Sequence, residues 1–97
     1  MRVIAKRTLR EFWELNPDSE KQLMVWYREV TKADWDSPNE IKSQYASASI
    51  LKNSRIVFNI CGNKYRLIVE INFLRKWIFI RFIGNHKEYD KIDTNNI

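Results

Sequence analysis

Between Arg55 and Ile83 the chain alternates apolar and polar residues in three runs, two of them divided by the dipeptide Gly62-Asn63. Period-two alternation marks half-buried strands, and Gly-Asn between two such runs marks a tight hairpin. The expected elements are antiparallel strands Arg55–Cys61, Lys64–Phe73 and Lys76–Ile83. With Gly62 and Asn63 in the loop, Cys61 faces Lys64, Asn59 faces Arg66, Val57 faces Ile68 and Arg55 faces Glu70. In the second hairpin, Asn72 opposite Trp77 sets Ile68 against Arg81 and Arg66 against Ile83.

That register sorts the side chains into two faces. One carries Ile56, Phe58, Ile60, Tyr65, Leu67, Val69, Ile71, Ile78, Ile80 and Phe82, so it must be covered by other elements. The other carries Arg55, Asn59, Arg66, Glu70 and Arg81 among Val57, Ile68, Phe79 and Ile83. A slip of one residue exchanges the faces. In this register Arg66 and Arg81 are diagonal neighbours, about 7–8 Å apart, with no acid opposite either. Two guanidinium groups so placed suit a phosphate. Arg55 differs, because Glu70 stands across from it.

The cover comes from the N-terminal half. Met1–Ala5 is expected as an edge strand. Lys6–Leu15 and Ser19–Lys32 carry Leu9, Phe12, Trp13 and Leu23, Trp26, Tyr27, Val30 at helical spacing. Asn16-Pro17-Asp18 separates them, and Ser19-Glu20-Lys21-Gln22 fits a capping box, so the pair is expected as an antiparallel helical hairpin. Ser37-Pro38-Asn39-Glu40 opens a short third helix to about Tyr45, and Ala46–Asn53 is expected to be irregular. Asn85-His86-Lys87-Glu88 fits another capping box for a short C-terminal helix, and Thr94–Ile97 is expected to fray. The fold class is α+β, one domain over 1–97: an N-terminal helical hairpin packed on an antiparallel sheet, with a short helix at the end.

Composition limits the chemistry. Seventeen Lys and Arg against twelve Asp and Glu give a net charge of +5, which favours polyanionic partners. One cysteine excludes an internal disulfide, and one cysteine with one histidine cannot complete a tetrahedral zinc site without carboxylates or a second chain. No apolar run reaches membrane length and Met1–Lys6 has no apolar leader core, so no membrane contact and a cytoplasmic location are expected. Cys61 has no base beside it in sequence and is read as inert.

The single histidine follows the last strand directly. His86, Tyr89 and Asp90 share one helical face through spacings of three and four. Cleavage of RNA by its own 2′-hydroxyl needs a base, an acid for the departing 5′-oxygen and cations for the crowded phosphorane. An imidazole can exchange protons near neutral pH, guanidinium groups can hold the phosphate, and a tyrosine can stack on a base. A surface histidine that merely begins a helix is the competing reading.

Ile50-Leu51-Lys52-Asn53, Phe58-Asn59-Ile60, Gly62-Asn63-Lys64-Tyr65-Arg66-Leu67, Phe79-Ile80-Arg81-Phe82 and Gly84-Asn85-His86-Lys87-Glu88-Tyr89-Asp90 together resemble the HigB toxins of the RelE/ParE superfamily. The similarity runs from Arg2-Val3-Ile4 through Trp35-x-x-Pro38 and Ile41-Lys42 to Asp90. Many members have a threonine before the histidine; Asn85 stands there in this chain and caps a helix as well. The resemblance implies a RelE-like fold and a metal-independent endoribonuclease, without cofactor, that cuts mRNA during translation on the ribosome. It implies a HigA-like helix-turn-helix antitoxin as partner, with operator DNA contacted only through that antitoxin. On matching positions the implied catalytic residues are Lys64, Arg66, Arg81, His86 and Tyr89, with Lys52 a lesser candidate; Lys52, Arg55 and Lys87, as basic residues, are expected to contact the RNA. A non-catalytic nucleic-acid or ribosome-binding module, and an attenuated toxin acting as co-repressor, are the alternatives. The superfamily also holds gyrase poisons, so fold alone does not establish RNA cleavage.

Overall fold

A computed structural model describes residues 1–94, 96 and 97. The order is β1 (Arg2–Ile4), α1 (Lys6–Leu15), a 3₁₀ turn (Pro17–Ser19), α2 (Glu20–Lys32), α3 (Pro38–Gln44), β2 (Ser49–Ile50), β3 (Arg55–Ile60), β4 (Tyr65–Asn72), β5 (Trp77–Asn85) and α4 (His86–Asp90). The strands form one sheet in the order β1-β5-β4-β3-β2.

The sheet is mixed, not wholly antiparallel. β1 runs parallel to β5, with Arg2 beside Trp77, Val3 beside Ile78 and Ile4 beside Phe79. β2, in the segment expected to be irregular, pairs with β3 through Ser49–Val57 and Ile50–Ile56. The β3–β4 hairpin keeps the expected register, with Arg55 opposite Glu70, Val57 opposite Ile68 and Asn59 opposite Arg66. Gly62, at φ +67°, takes the left-handed conformation its turn requires.

The β4–β5 hairpin begins as expected at Asn72–Trp77 and then changes phase. Between Ile68 and Val69 the register shifts by one, so Val69 pairs with Ile80, whereas Ile68 pairs with Phe82 and Arg66 with Gly84. Arg81 is the extra residue of a β-bulge. Beyond it the two faces exchange: Ile83 joins the core, and Phe82, in register with Ile68, turns to the face away from the helices. Unbroken alternation from Trp77 would put these two residues the other way round, with Phe82 inward and Ile83 outward. Gly84 follows from the same geometry, because a Cβ there would lie 2.7 Å from the Phe82 ring and 3.1 Å from the Glu88 carboxylate.

The core lies between the helices and one sheet face. Leu9, Leu23, Trp26, Val30, Ile41, Phe58, Leu67 and Ile78 are buried there, and Trp26 and Tyr45 meet Phe58 edge to face at 5.4 and 5.1 Å. Phe12 packs edge to face on Tyr65 at 5.1 Å. Two capping boxes form as expected, at Ser37 with Glu40 and at Asn85 with Glu88. The one expected at Ser19 does not. The Ser19 hydroxyl donates back to the Asn16 carbonyl at 2.7 Å, and Gln22 accepts instead from the Cys61 backbone at 2.6 Å. A long-range bond to the hairpin takes the side chain that would have closed the box. Within the segment expected to fray, Asn95 lies outside the described residues, while the Ile97 carbonyl accepts from Arg55 at 3.0 Å.

Asp18 ties the helical hairpin to the sheet. It forms an ion pair with Lys64 and accepts from the Tyr65 hydroxyl at 2.7 Å. The Lys64 hydrogen bond, then that of Tyr65, holds the Asp18 carboxyl below its ordinary 3.8, and Asp18 in turn holds the Lys64 ammonium above 10.5. The lowered carboxyl stabilises the fold above pH 3.8 and loses that contribution as pH falls through its folded value; the raised ammonium stabilises it below pH 10.5 and loses it on the alkaline side. The melting-temperature gap between wild type and Asp18→Asn is therefore expected to be widest between those limits and to close at both extremes. A gap that does not change with pH counts against the contact.

Candidate active site

The outer face of the sheet has its polar corner where β3, β4, β5 and α4 come together. Arg66 is in register with Asn59 on one side and Gly84 on the other. Its guanidinium donates to the Asn59 side-chain carbonyl, and Asn59 in turn donates to the Ser47 carbonyl at 3.2 Å. One turn of α4 covers the opposite side, with the Tyr89 ring centroid 5.5 Å from the guanidinium carbon of Arg66. The Arg66 Nε is buried and has no hydrogen-bond partner among the described residues, so this cation is held in place with a donor still unsatisfied there.

His86 opens α4 directly behind its cap, Asn85, whose side chain accepts from the Glu88 backbone at 2.8 Å. The imidazole stands 6.5 Å from the Tyr89 ring, centroid to centroid. Its Nδ1 lies 3.2 Å from the Asp90 carboxylate. In the tautomer in which Nδ1–H donates its hydrogen bond to the Asp90 carboxylate, Nε2 carries the lone pair and is turned away from Asp90. The spacing anticipated for His86, Tyr89 and Asp90 thus places one imidazole, one phenol and one carboxylate on a single turn, beside one guanidinium.

A family model described as HigB toxin, the RelE-like toxic component of a toxin–antitoxin system, matches residues 19–92. The chain belongs to the HigB toxin family. It is 32% identical over 94 residues to the mRNA interferase HigB of Escherichia coli O6:H1, covering 95% of this chain and 91% of that one. It is 27% identical over 92 residues to the mRNA interferase toxin HigB of Escherichia coli K12, covering 93% and 88%. The mRNA interferase HigB of Shigella flexneri matches to the same extent.

In this HigB chain the structure separates the candidates into those that gather at α4 and those that do not. Arg66, His86 and Tyr89 gather. Arg81 does not complete the expected two-arginine pair. The bulge turns it to Glu70, which accepts from its Nε at 2.9 Å and its Nη2 at 2.8 Å. Arg55, expected to be matched by Glu70, is left to backbone carbonyls, those of Ile97 and of Asn53 at 3.3 Å. Lys64 lies on the helical side against Asp18, 5.3 Å over the Tyr65 ring. Lys52 is exposed in the turn before β3, and Lys87 is exposed on α4.

Asn59 was placed on the correct face by the sequence but not counted with the site. Its register position opposite Arg66 was the available signal, since an amide oxygen facing a guanidinium forms a hydrogen bond. Burial, then the charge of Asp18, pushes the Cys61 thiol up, and the thiol donates to the Asp18 carbonyl at 3.4 Å, which agrees with an inert side chain. Among the described residues no group of three or more His, Cys, Asp or Glu is placed to hold a metal ion, and no helix is long and apolar enough to cross a membrane.

Proposed function

We propose that this HigB family member is an mRNA endoribonuclease, cutting messages during translation on the ribosome as the toxin of a toxin–antitoxin pair. The observation that carries this reading is the meeting of Arg66, Tyr89 and His86 at one corner of the outer face. The relatives named as mRNA interferases support it.

The reaction is transfer of the phosphodiester to the neighbouring 2′-oxygen, and no step of it draws on a metal ion or cofactor. The 2′-hydroxyl gives up its proton as the 2′-oxygen bonds to phosphorus. The bond to the 5′-oxygen breaks, and that oxygen takes a proton. The products are a 2′,3′-cyclic phosphate and a 5′-hydroxyl. His86 Nε2 is placed to move one of these protons, with Asp90 fixing the ring. Arg66 holds the non-bridging oxygens and gains in interaction as their charge grows. Tyr89 stacks on a flanking base or donates to the phosphate. Arg81 supplies a second cation, after exchanging Glu70 for phosphate. Lys64 acts only on leaving Asp18, while Lys52, Arg55 and Lys87 contact the RNA backbone. The 1–97 unit works as one cytoplasmic domain, restrained by a HigA-like helix-turn-helix antitoxin through which the pair reaches operator DNA.

Inducible expression in bacteria lacking the antitoxin tests this, with mapping of new mRNA 5′ ends. Growth arrest with new ends inside reading frames is expected, and both effects should disappear in Arg66→Ala. Arrest without new ends would redirect the search to another target. Arrest that persists in Arg66→Ala would remove this site.

A further inference from the structure

Four side chains stand in a row along the outer face of β5 and the turn before it. Trp77 and Phe79 are two positions apart in β5, which places their side chains on one face about 6.5–7 Å from each other, and Arg75, in the turn before the strand, and Arg81, at the bulge, flank them. They touch in sequence. The Arg75 guanidinium lies 5.1 Å from the Trp77 ring centroid. The Trp77 and Phe79 rings meet edge to face at 6.0 Å. The Arg81 guanidinium lies 5.1 Å from the Phe79 ring.

β1 widens the row. Arg2 is the register partner of Trp77 and Ile4 that of Phe79, so both lie on the same face, and Arg2 is exposed. Among the described residues neither Arg2 nor Arg75 forms an ion pair. Glu70, in register with Phe79, is occupied by Arg81. Beside Phe79 an open depression of about 310 Å³ is lined by Ser54, Glu70, Asn72 and Phe73.

Partly exposed rings flanked by guanidinium groups, of which Arg81 alone has an acidic partner among the described residues, do less for the fold than buried ones. Rings gain more by full burial, and neighbouring cations repel. The same row matches single-stranded nucleic acid, where flat apolar bases alternate with phosphates: bases stack on the rings and phosphates meet the arginines. A duplex already covers its base faces and offers the rings nothing. The depression gives an unstacked base room beside Phe79, with polar groups at its edge. β5 also leads to the proposed cleavage site, since its last residue is the cap of α4.

We propose that Arg75, Trp77, Phe79 and Arg81, with Arg2, form a subsite for single-stranded RNA that leads the message toward Arg66 and His86. Its biological use rests on the ribonuclease reading; its binding does not.

The test is a fluorescence anisotropy titration of the purified chain with a short labelled 2′-O-methyl oligoribonucleotide, which has no free 2′-hydroxyl and cannot be cut. Trp77→Leu and Phe79→Leu should each weaken binding by at least about fivefold, from the usual stacking contribution per base, and Trp77→Phe should restore most of the loss. Arg2→Gln and Arg75→Gln should each lower the salt dependence of binding by about one counterion. These two exposed changes keep the test open if a leucine variant melts early. Unaltered affinity in folded ring variants and an unaltered salt slope in the arginine variants would overturn the subsite, leaving the face to a protein partner. An equal loss against a blunt duplex of the same sequence would overturn it too, since charge alone would then explain binding. Ring-dependent binding by a chain that cuts no RNA would leave the subsite standing and remove the ribonuclease reading. A chain that cuts RNA while ring variants bind normally would do the reverse.

Discussion

His86→Ala is expected to slow RNA cleavage by roughly 10²–10⁴-fold, the usual contribution of a positioned proton carrier. The protein should remain folded, because His86 lies at the exposed start of a short helix whose residues are all outside the core. Two further measurements separate proton transfer from a structural role. The His86-dependent limb of the pH–rate profile should vanish in the variant. Asp90→Asn, which leaves the imidazole in place but exchanges the carboxylate at Nδ1 for an amide, should retain part of the activity with an altered profile. A His86→Ala enzyme that cuts at near wild-type rate would assign the proton transfers to other groups, with Tyr89 on the corner and Lys64 outside it the next to substitute. This effect is on chemistry, so RNA affinity should hardly change.

Phe58→Ala acts on the opposite face and through stability. Phe58 is 2% exposed and is the ring on which Trp26 and Tyr45 both pack. Removing it deletes the burial of the ring, forfeits two edge-to-face contacts and opens a cavity where α2, α3 and the sheet join. The cost is expected at about 3–5 kcal/mol, a large part of the roughly 5–15 kcal/mol that holds a domain together. For a domain of this size, each kcal/mol corresponds to about 4–8 °C in melting temperature, so a fall of roughly 12 °C or more should appear on thermal unfolding. Phe58→Leu, which keeps more of the volume, should lose much less. A small change in Phe58→Ala would mean that the three elements close over the gap.

The sequence was most informative where structure is local. The first hairpin register followed from Gly62-Asn63 alone, because a two-residue turn leaves one pairing, and the capping boxes at Ser37 and Asn85 followed from spacings of three. Helical spacing likewise identified the buried sides of α1 and α2. What escaped was long-range or silent in the pattern. Parallel pairing of β1 with β5 joins segments some seventy residues apart in the chain, and nothing in Arg2-Val3-Ile4 gives its direction. Gln22 reaches a partner 39 positions away, which no local box can foresee. The bulge was hidden by composition. Phe82 and Ile83 are both apolar, so either one satisfies an inward position and the alternation reads equally well with or without an extra residue. From that one slip came the corrections at the site: Arg81 went to Glu70, Arg55 lost its acid, and the two-arginine pair gave way to a single guanidinium under a tyrosine. The His86 corner was legible because it depends on helical spacing after the last strand, whatever the phase of that strand.

The extra residue at Arg81 also divides β5 into two stretches with separate reading frames. Upstream, the odd positions Trp77 and Phe79 face outward; downstream, the even positions Phe82 and Gly84 do. Substitutions that remodel the upstream surface therefore leave the downstream frame, and the cap that launches α4, where they were. A single strand thus behaves as two adjoining modules, one free to diverge in what it grips while the other keeps its geometry.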